Sequence, residues 1–107
     1  MYILITVWFP ASKGLEIGKK ALEINEKIPE DETISKTILP GGLMRTKNGI
    51  KGISIYEVME GKFEEAFSRA SEILALYAEA EGVNSRIDTM ATITEAMATI
   101  RLAIPAA

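Results

Sequence analysis

The stretch from Met1 to Phe9, closed by Pro10, constrains this chain most, because both faces of the strand it predicts are apolar. One alternate set is Tyr2, Leu4, Thr6 and Trp8; the other is Ile3, Ile5, Val7 and Phe9. A strand with one wet face alternates apolar and polar residues, so this one expects cover on both sides. Helices of the same chain can supply one cover. The other calls for a partner, so the strand speaks first to architecture and assembly and names no reaction.

Pro10 breaks the run, and Ser12 is placed to cap a helix. From Lys13 to Ile28, the residues Ile17, Ala21, Ile24 and Ile28 recur at helical spacing, and Leu15, Gly18 and Leu22 widen that stripe. Pro29 ends the helix, and Glu30-Asp31-Glu32 reads as a solvated acidic turn. Thr33 to Leu39 and Leu43 to Lys47 read as strands joined through a bend at Pro40-Gly41-Gly42, since proline cannot donate in a ladder. Asn48-Gly49 predicts a two-residue hairpin turn, after which Ile50 to Val58 returns antiparallel. Pairing about that turn sets Arg45 opposite Gly52, Leu43 opposite Ser54 and Gly41 opposite Tyr56, and sends Ile53 and Ile55 to the helices. A second helix runs from Lys62 to Glu81 on a stripe of Phe63, Phe67, Ala70, Leu74 and Tyr77, with Gly82 just past its end. Val83 to Met90 reads as a fourth strand. Thr92-x-x-Glu95 then opens a short helix through Leu102, and Pro105-Ala106-Ala107 is a tail.

The order strand, helix, strand, strand, helix, strand predicts an α+β fold: a single ferredoxin-like βαββαβ plait over residues 1–107, with a short C-terminal helix. Right-handed crossovers put both long helices on one face of the sheet, with the first and third strands at its centre. The set with Tyr2, Leu4 and Trp8 is assigned to the other face. A two-fold, sheet-to-sheet homodimer, itself able to assemble further, then covers that face. Each large apolar side chain left in water forgoes about 1.5–3 kcal/mol of burial.

Composition narrows the chemistry. The chain has 107 residues, 48% hydrophobic, with a formal net charge of −3, which speaks against a nucleic-acid partner. Its scattered lysines and arginines speak equally against an anionic membrane surface. It has no cysteine and no histidine, so thiolate chemistry, imidazole bases and the commonest metal ligand are absent. No cofactor and no metal is expected. The apolar N-terminal run is short and lacks a basic lead, which fits neither a spanning helix nor a signal peptide, and a cytoplasmic location is expected.

The MYILITVWFP strand, the KNGIKGISIYEV hairpin arm and the closing RIDTMATITEAM segment resemble those of the dimeric α/β-barrel proteins of the ferredoxin-like plait. That group includes antibiotic-biosynthesis monooxygenases, stress-responsive barrel proteins and small uncharacterised members. The resemblance covers nearly the whole chain and implies a dimeric α/β barrel, but the plait hosts many unrelated activities. Haem-degrading, isomerase- and dechlorinase-like relatives rely on a histidine that has no counterpart here. The cofactor-free quinone oxygenases use a Trp and an Asn. Trp8 matches the first, whereas Asn25 on the first helix and Asn48 in the turn are not placed for the second.

The ligand-binding candidates are Thr6, Trp8, Arg45, Ser54 and Tyr56, joined by Arg86 or Asp88 of the fourth strand. They are expected to line a cleft between packed sheets, with an aromatic wall and a few polar groups. Arg45 offers a fork for a carboxylate and Tyr56 a hydroxyl. Packed aromatics are ordinary, so Trp8 as interface packing, Tyr56 as a cross-strand neighbour and Arg45 as a solvated strand-end charge is the competing account. Pro40-Gly41-Gly42 lacks the lysine and helix of a phosphate loop, and Glu30-Asp31-Glu32 lacks the spacing of a calcium loop. Three functions follow: a homodimeric small-molecule-binding module, a cofactor-independent monooxygenase- or isomerase-like enzyme using Tyr56, Arg45 or an acid, and a purely structural subunit. The lack of histidine favours the first over the second.

Overall fold

The computed structural model describes residues 1–100. The end of the last predicted helix at Leu102 and the Pro105–Ala107 tail lie outside them. Strand β1 (Tyr2–Phe9) is followed by a 3₁₀ turn at Ala11–Lys13 and helix α1 (Gly14–Lys27). Strands β2 (Ser35–Thr46) and β3 (Gly49–Val58) form a long hairpin, and α2 (Phe63–Tyr77), β4 (Asn84–Met90) and α3 (Ile93–Thr99) complete the order. The four strands make one antiparallel sheet in the order β2-β3-β1-β4. This α+β arrangement is compatible with the ferredoxin-like plait.

β1 is the spine of the core. Among the described residues, Ile3, Ile5, Val7 and Phe9 are buried against Ile17 and Ile24 of α1 and Ala66, Ala70 and Ile73 of α2. Side chains alternate across a strand, so Tyr2, Leu4, Thr6 and Trp8 occupy the opposite, open face. Thr6 at the centre of that face is only 4% exposed, whereas Tyr2, Leu4 and Trp8 are half-buried.

The hairpin turns one residue earlier than its Asn-Gly pair predicts. Thr46 pairs with Gly49, so Lys47-Asn48 make the turn, and Arg45 faces Ile50 instead of Gly52. Gly49 carries φ 142°, and a Cβ there would sit 2.5 Å from the Phe9 carbonyl oxygen. The need for glycine at that position arises from its positive φ together with close packing against the end of β1. A shift of two in pairing preserves faces, so Leu43 and Gly52 stay on one side. The Pro40-Gly41-Gly42 segment is the expected irregularity: the register slips between Thr37 and Leu39 and again between Leu39 and Gly42 within one continuous strand.

Ile53 and Ile55 do not meet the helices. Direct cross-strand partners share a face, and Ile53 lies opposite Thr6 while Ile55 lies opposite Leu4, both on the open face. Gly52, Ser54 and Tyr56, opposite Val7, Ile5 and Ile3, face the helices instead.

Both helices also differ from the expected stripe. α1 begins at Gly14 without a side-chain cap from Ser12, because the 3₁₀ turn spends Ser12 before the helix starts. Leu15 and Leu22 remain exposed. α2 buries Ala66, Ala70 and Ile73, while Phe63 and Phe67 stack on each other at 5.8 Å on the exposed side. Small alanines let the helix approach the sheet more closely than two phenylalanines allow. After Tyr77 the bonds tighten to i→i+3, from Glu79 to Leu76 and from Ala80 to Tyr77, and Gly82 adopts φ 83° beyond them.

Candidate functional site

α1 packs on β1 and α2 but stands away from the β2–β3 arm, and the gap is a cavity of about 370 Å³. Its floor is the buried set Ile5, Val7 and Phe9 of β1 with Ile17 and Ile24 of α1 and Ile73 of α2. Two features of sequence hold it open. Gly18 and Ala21 shorten the wall of α1, and Gly52 and Ser54 shorten that of β3. Leu43, 74% exposed, stands at the mouth on β2. The volume falls in the range of roughly 300–1,000 Å³ common to small-molecule sites.

Polar groups converge on the cavity from three elements: Asn25 of α1, Ser54 and Tyr56 of β3, and Arg69 and Tyr77 of α2. The Ser54 hydroxyl donates to the Pro40 carbonyl at 3.2 Å, tying the β2 bend to the wall. Nη2 of Arg69 donates to the carbonyls of Ile28 at 3.2 Å and Pro29 at 3.0 Å, closing the C-terminal end of α1. The Arg69 guanidinium lies 5.8 Å from the centre of the Tyr56 ring. Burial, and then the neighbouring Tyr56, push the Tyr77 phenol above its usual range, so it stays a neutral hydrogen-bonding group. Among the described residues no Asp or Glu lines the cavity, so these walls offer no carboxylate base.

The five predicted ligand residues are not brought together. Ser54 and Tyr56 line the cavity on the helix face, Thr6 and Trp8 lie on the open face, and Arg45 is exposed beside the hairpin turn. The sheet itself separates them. Trp8 is a packing centre: Lys51 Nζ lies 5.8 Å and Arg86 Cζ 5.5 Å from its ring. Arg86 in turn donates to Asp88 at 2.7 Å, so neither of these strand-four candidates reaches the cavity.

Asn25 lines the cavity on the helix side, Trp8 is across the sheet from it, and the Trp–Asn pair of the quinone oxygenases is not assembled. Arg69 stands out by no motif in the sequence, and Tyr77 enters there only as the last residue of the second helix's apolar stripe. Arg69 carried one signal, a cation beside the Ala66–Ala70–Ile73 stripe, but that stripe emerges only when the helix is seen turned away from Phe63 and Phe67.

Among the described residues no group of three or more His, Cys, Asp or Glu is placed to hold a metal ion, and no helix is long and apolar enough to cross a membrane.

No protein-family model matches the chain, and no curated protein matches it. A solved structure similar to it is the de novo designed protein Foldit4, at 14% identity and a TM-score of 0.42, covering 85% of this chain and 100% of its own. A likeness of that size carries no argument about function.

Proposed function

We propose that this protein is a binding module that takes a small, largely apolar molecule between α1 and the β2–β3 arm, and that it works as a homodimer. The cavity carries the reading: an apolar floor with Asn25, Ser54, Tyr56, Arg69 and Tyr77 converging from three elements is the usual make-up of a ligand site. The oxygenase- or isomerase-like alternative is less favoured, because the walls hold no carboxylate and Trp8 faces away. The dimeric α/β barrel is supported by the open face, where Leu4, Ile53 and Ile55 form an apolar centre beside Trp8. The shape supports it too. The radius of gyration is 15.7 Å and the shortest dimension 19 Å, whereas a compact domain of this size has a radius of about 13 Å.

The ligand reading is tested with 1-octanol as the probe, followed by amide chemical shifts. Binding is expected to move Val7, Gly18 and Gly52, and Ala21→Trp, which fills the cavity from α1, is expected to abolish those shifts in a protein that still unfolds cooperatively. Saturating 1-octanol that leaves the wild-type shifts unmoved overturns the reading.

A further inference from the structure

Resting on the reading that the cavity holds a ligand, we infer that the ligand is an amphipathic carboxylate, its acid group held by Arg69 and its apolar body on the Ile5–Val7–Ile24 floor.

Among the described residues, Arg69 is the single charged residue in the cavity wall. A guanidinium has five N–H donors, and both hydrogen bonds of this one leave from Nη2. Nε is buried and has no partner. Capping the end of α1 therefore uses part of the group; Nε is sealed off, and Nη1 is the donor left for a ligand. Arg69 joins no ion pair among the described residues. Asp31 senses its charge, yet the Asp31 carboxylate accepts from the backbone and hydroxyl of Thr33. Glu30, Asp31, Glu64, Glu65 and Glu72 line a separate surface groove that Arg69 borders, and none of them lines the cavity.

A half-buried cation with a donor to spare selects an acceptor that carries charge, because charge-assisted bonds are the strong ones. The neighbours fit a carboxylate. Tyr56 beneath the guanidinium and the neutral Tyr77 phenol add hydroxyl donors beside it. Apart from Asn25 and Ser54, the rest of the cavity is apolar, with isoleucines, Val7 and Phe9 at its floor, which a hydrocarbon chain or a ring fills and a second charge does not.

Octanoate and 1-octanol, compared by calorimetry at neutral pH, separate this inference from the reading beneath it. Wild-type protein is expected to bind octanoate about tenfold or more tightly than 1-octanol. Arg69→Gln is expected to remove that preference while 1-octanol still binds, and Arg69→Lys, which keeps the charge, to retain part of it. Equal affinity of the two probes for the wild type overturns the carboxylate assignment and leaves the cavity reading standing. Binding of neither overturns both. The wild-type comparison decides the matter even where the loss of the α1 cap prevents Arg69→Gln from folding.

Discussion

At Gly49 the backbone takes φ 142° with the Phe9 carbonyl oxygen 2.5 Å from where a Cβ would stand. Gly61 also has a positive φ, 75°, yet nothing lies within 4 Å of its missing Cβ. The two glycines therefore separate backbone preference from collision. Gly61→Ala is expected to cost about 1–2 kcal/mol, the penalty of a left-handed alanine alone. Gly49→Ala carries a conformational penalty of about 1–3 kcal/mol plus the clash with β1, and so should cost clearly more. Urea unfolding of both variants checks this; equal losses would mean that β1 yields freely at Phe9. The same residue shows how far a dipeptide signal reaches. Asn48-Gly49 located the hairpin, but which of its residues turned was settled by the neighbouring strand.

Among the elements, α3 has the weakest hold on the rest of the fold. None of its residues is buried, and seven residues make a marginal helix alone. Its order rests on the Thr92–Glu95 capping box that the sequence announced, and on Glu95 accepting from the Met1 amino group at 2.6 Å. The bond to that amino group, then the one from the Thr92 backbone, hold the Glu95 carboxyl down from 4.5 to about 2. A depressed carboxyl stabilises the folded form fully above 4.5 and loses that contribution as pH falls toward 2. Amide shifts of Ala96 and Met97 are expected to report loosening of α3 in that window, and Glu95→Gln to remove the acid transition. A wild-type titration with its midpoint near 4.5 would mean that the amino group does not hold Glu95. The long helices were legible in position and largely in rotation, since Ile17, Ile24, Ala70, Leu74 and Tyr77 pack in or against the core, but not in the width of the buried stripe. Phe63 and Phe67 dominate any apolar stripe drawn on α2, whereas packing distance selected Ala66, Ala70 and Ile73.

At the scale of the molecule, the open face is the term left unbalanced. Leu4, Ile53 and Ile55 are half-buried beside Trp8, and each large side chain covered would recover about 1.5–3 kcal/mol. If two sheets close on each other, Leu4→Glu puts a charge at the centre of the contact. It is expected to convert a dimer to a monomer by sedimentation equilibrium with the far-UV spectrum unchanged. A wild-type monomer at micromolar concentration, or a variant that stays dimeric, counts against sheet-to-sheet pairing. The period of two in β1 and of 3.6 in α1 and α2 lies in the covalent order of the chain, so strand and helix identities, their sequence order and the doubly apolar β1 could be read directly. Which residues of β3 join which face depends on register with β1, a relation between segments some fifty positions apart. Ile53 and Ile55 looked like core for the helices, and only the pairing Ile3–Tyr56 turned them outward and brought Ser54 to the cavity and Tyr56 to Arg69. The candidate site was therefore half legible. Its strand residues were named, but the sheet divides them, and the α1 and α2 residues that complete the cavity are brought to it by tertiary packing alone.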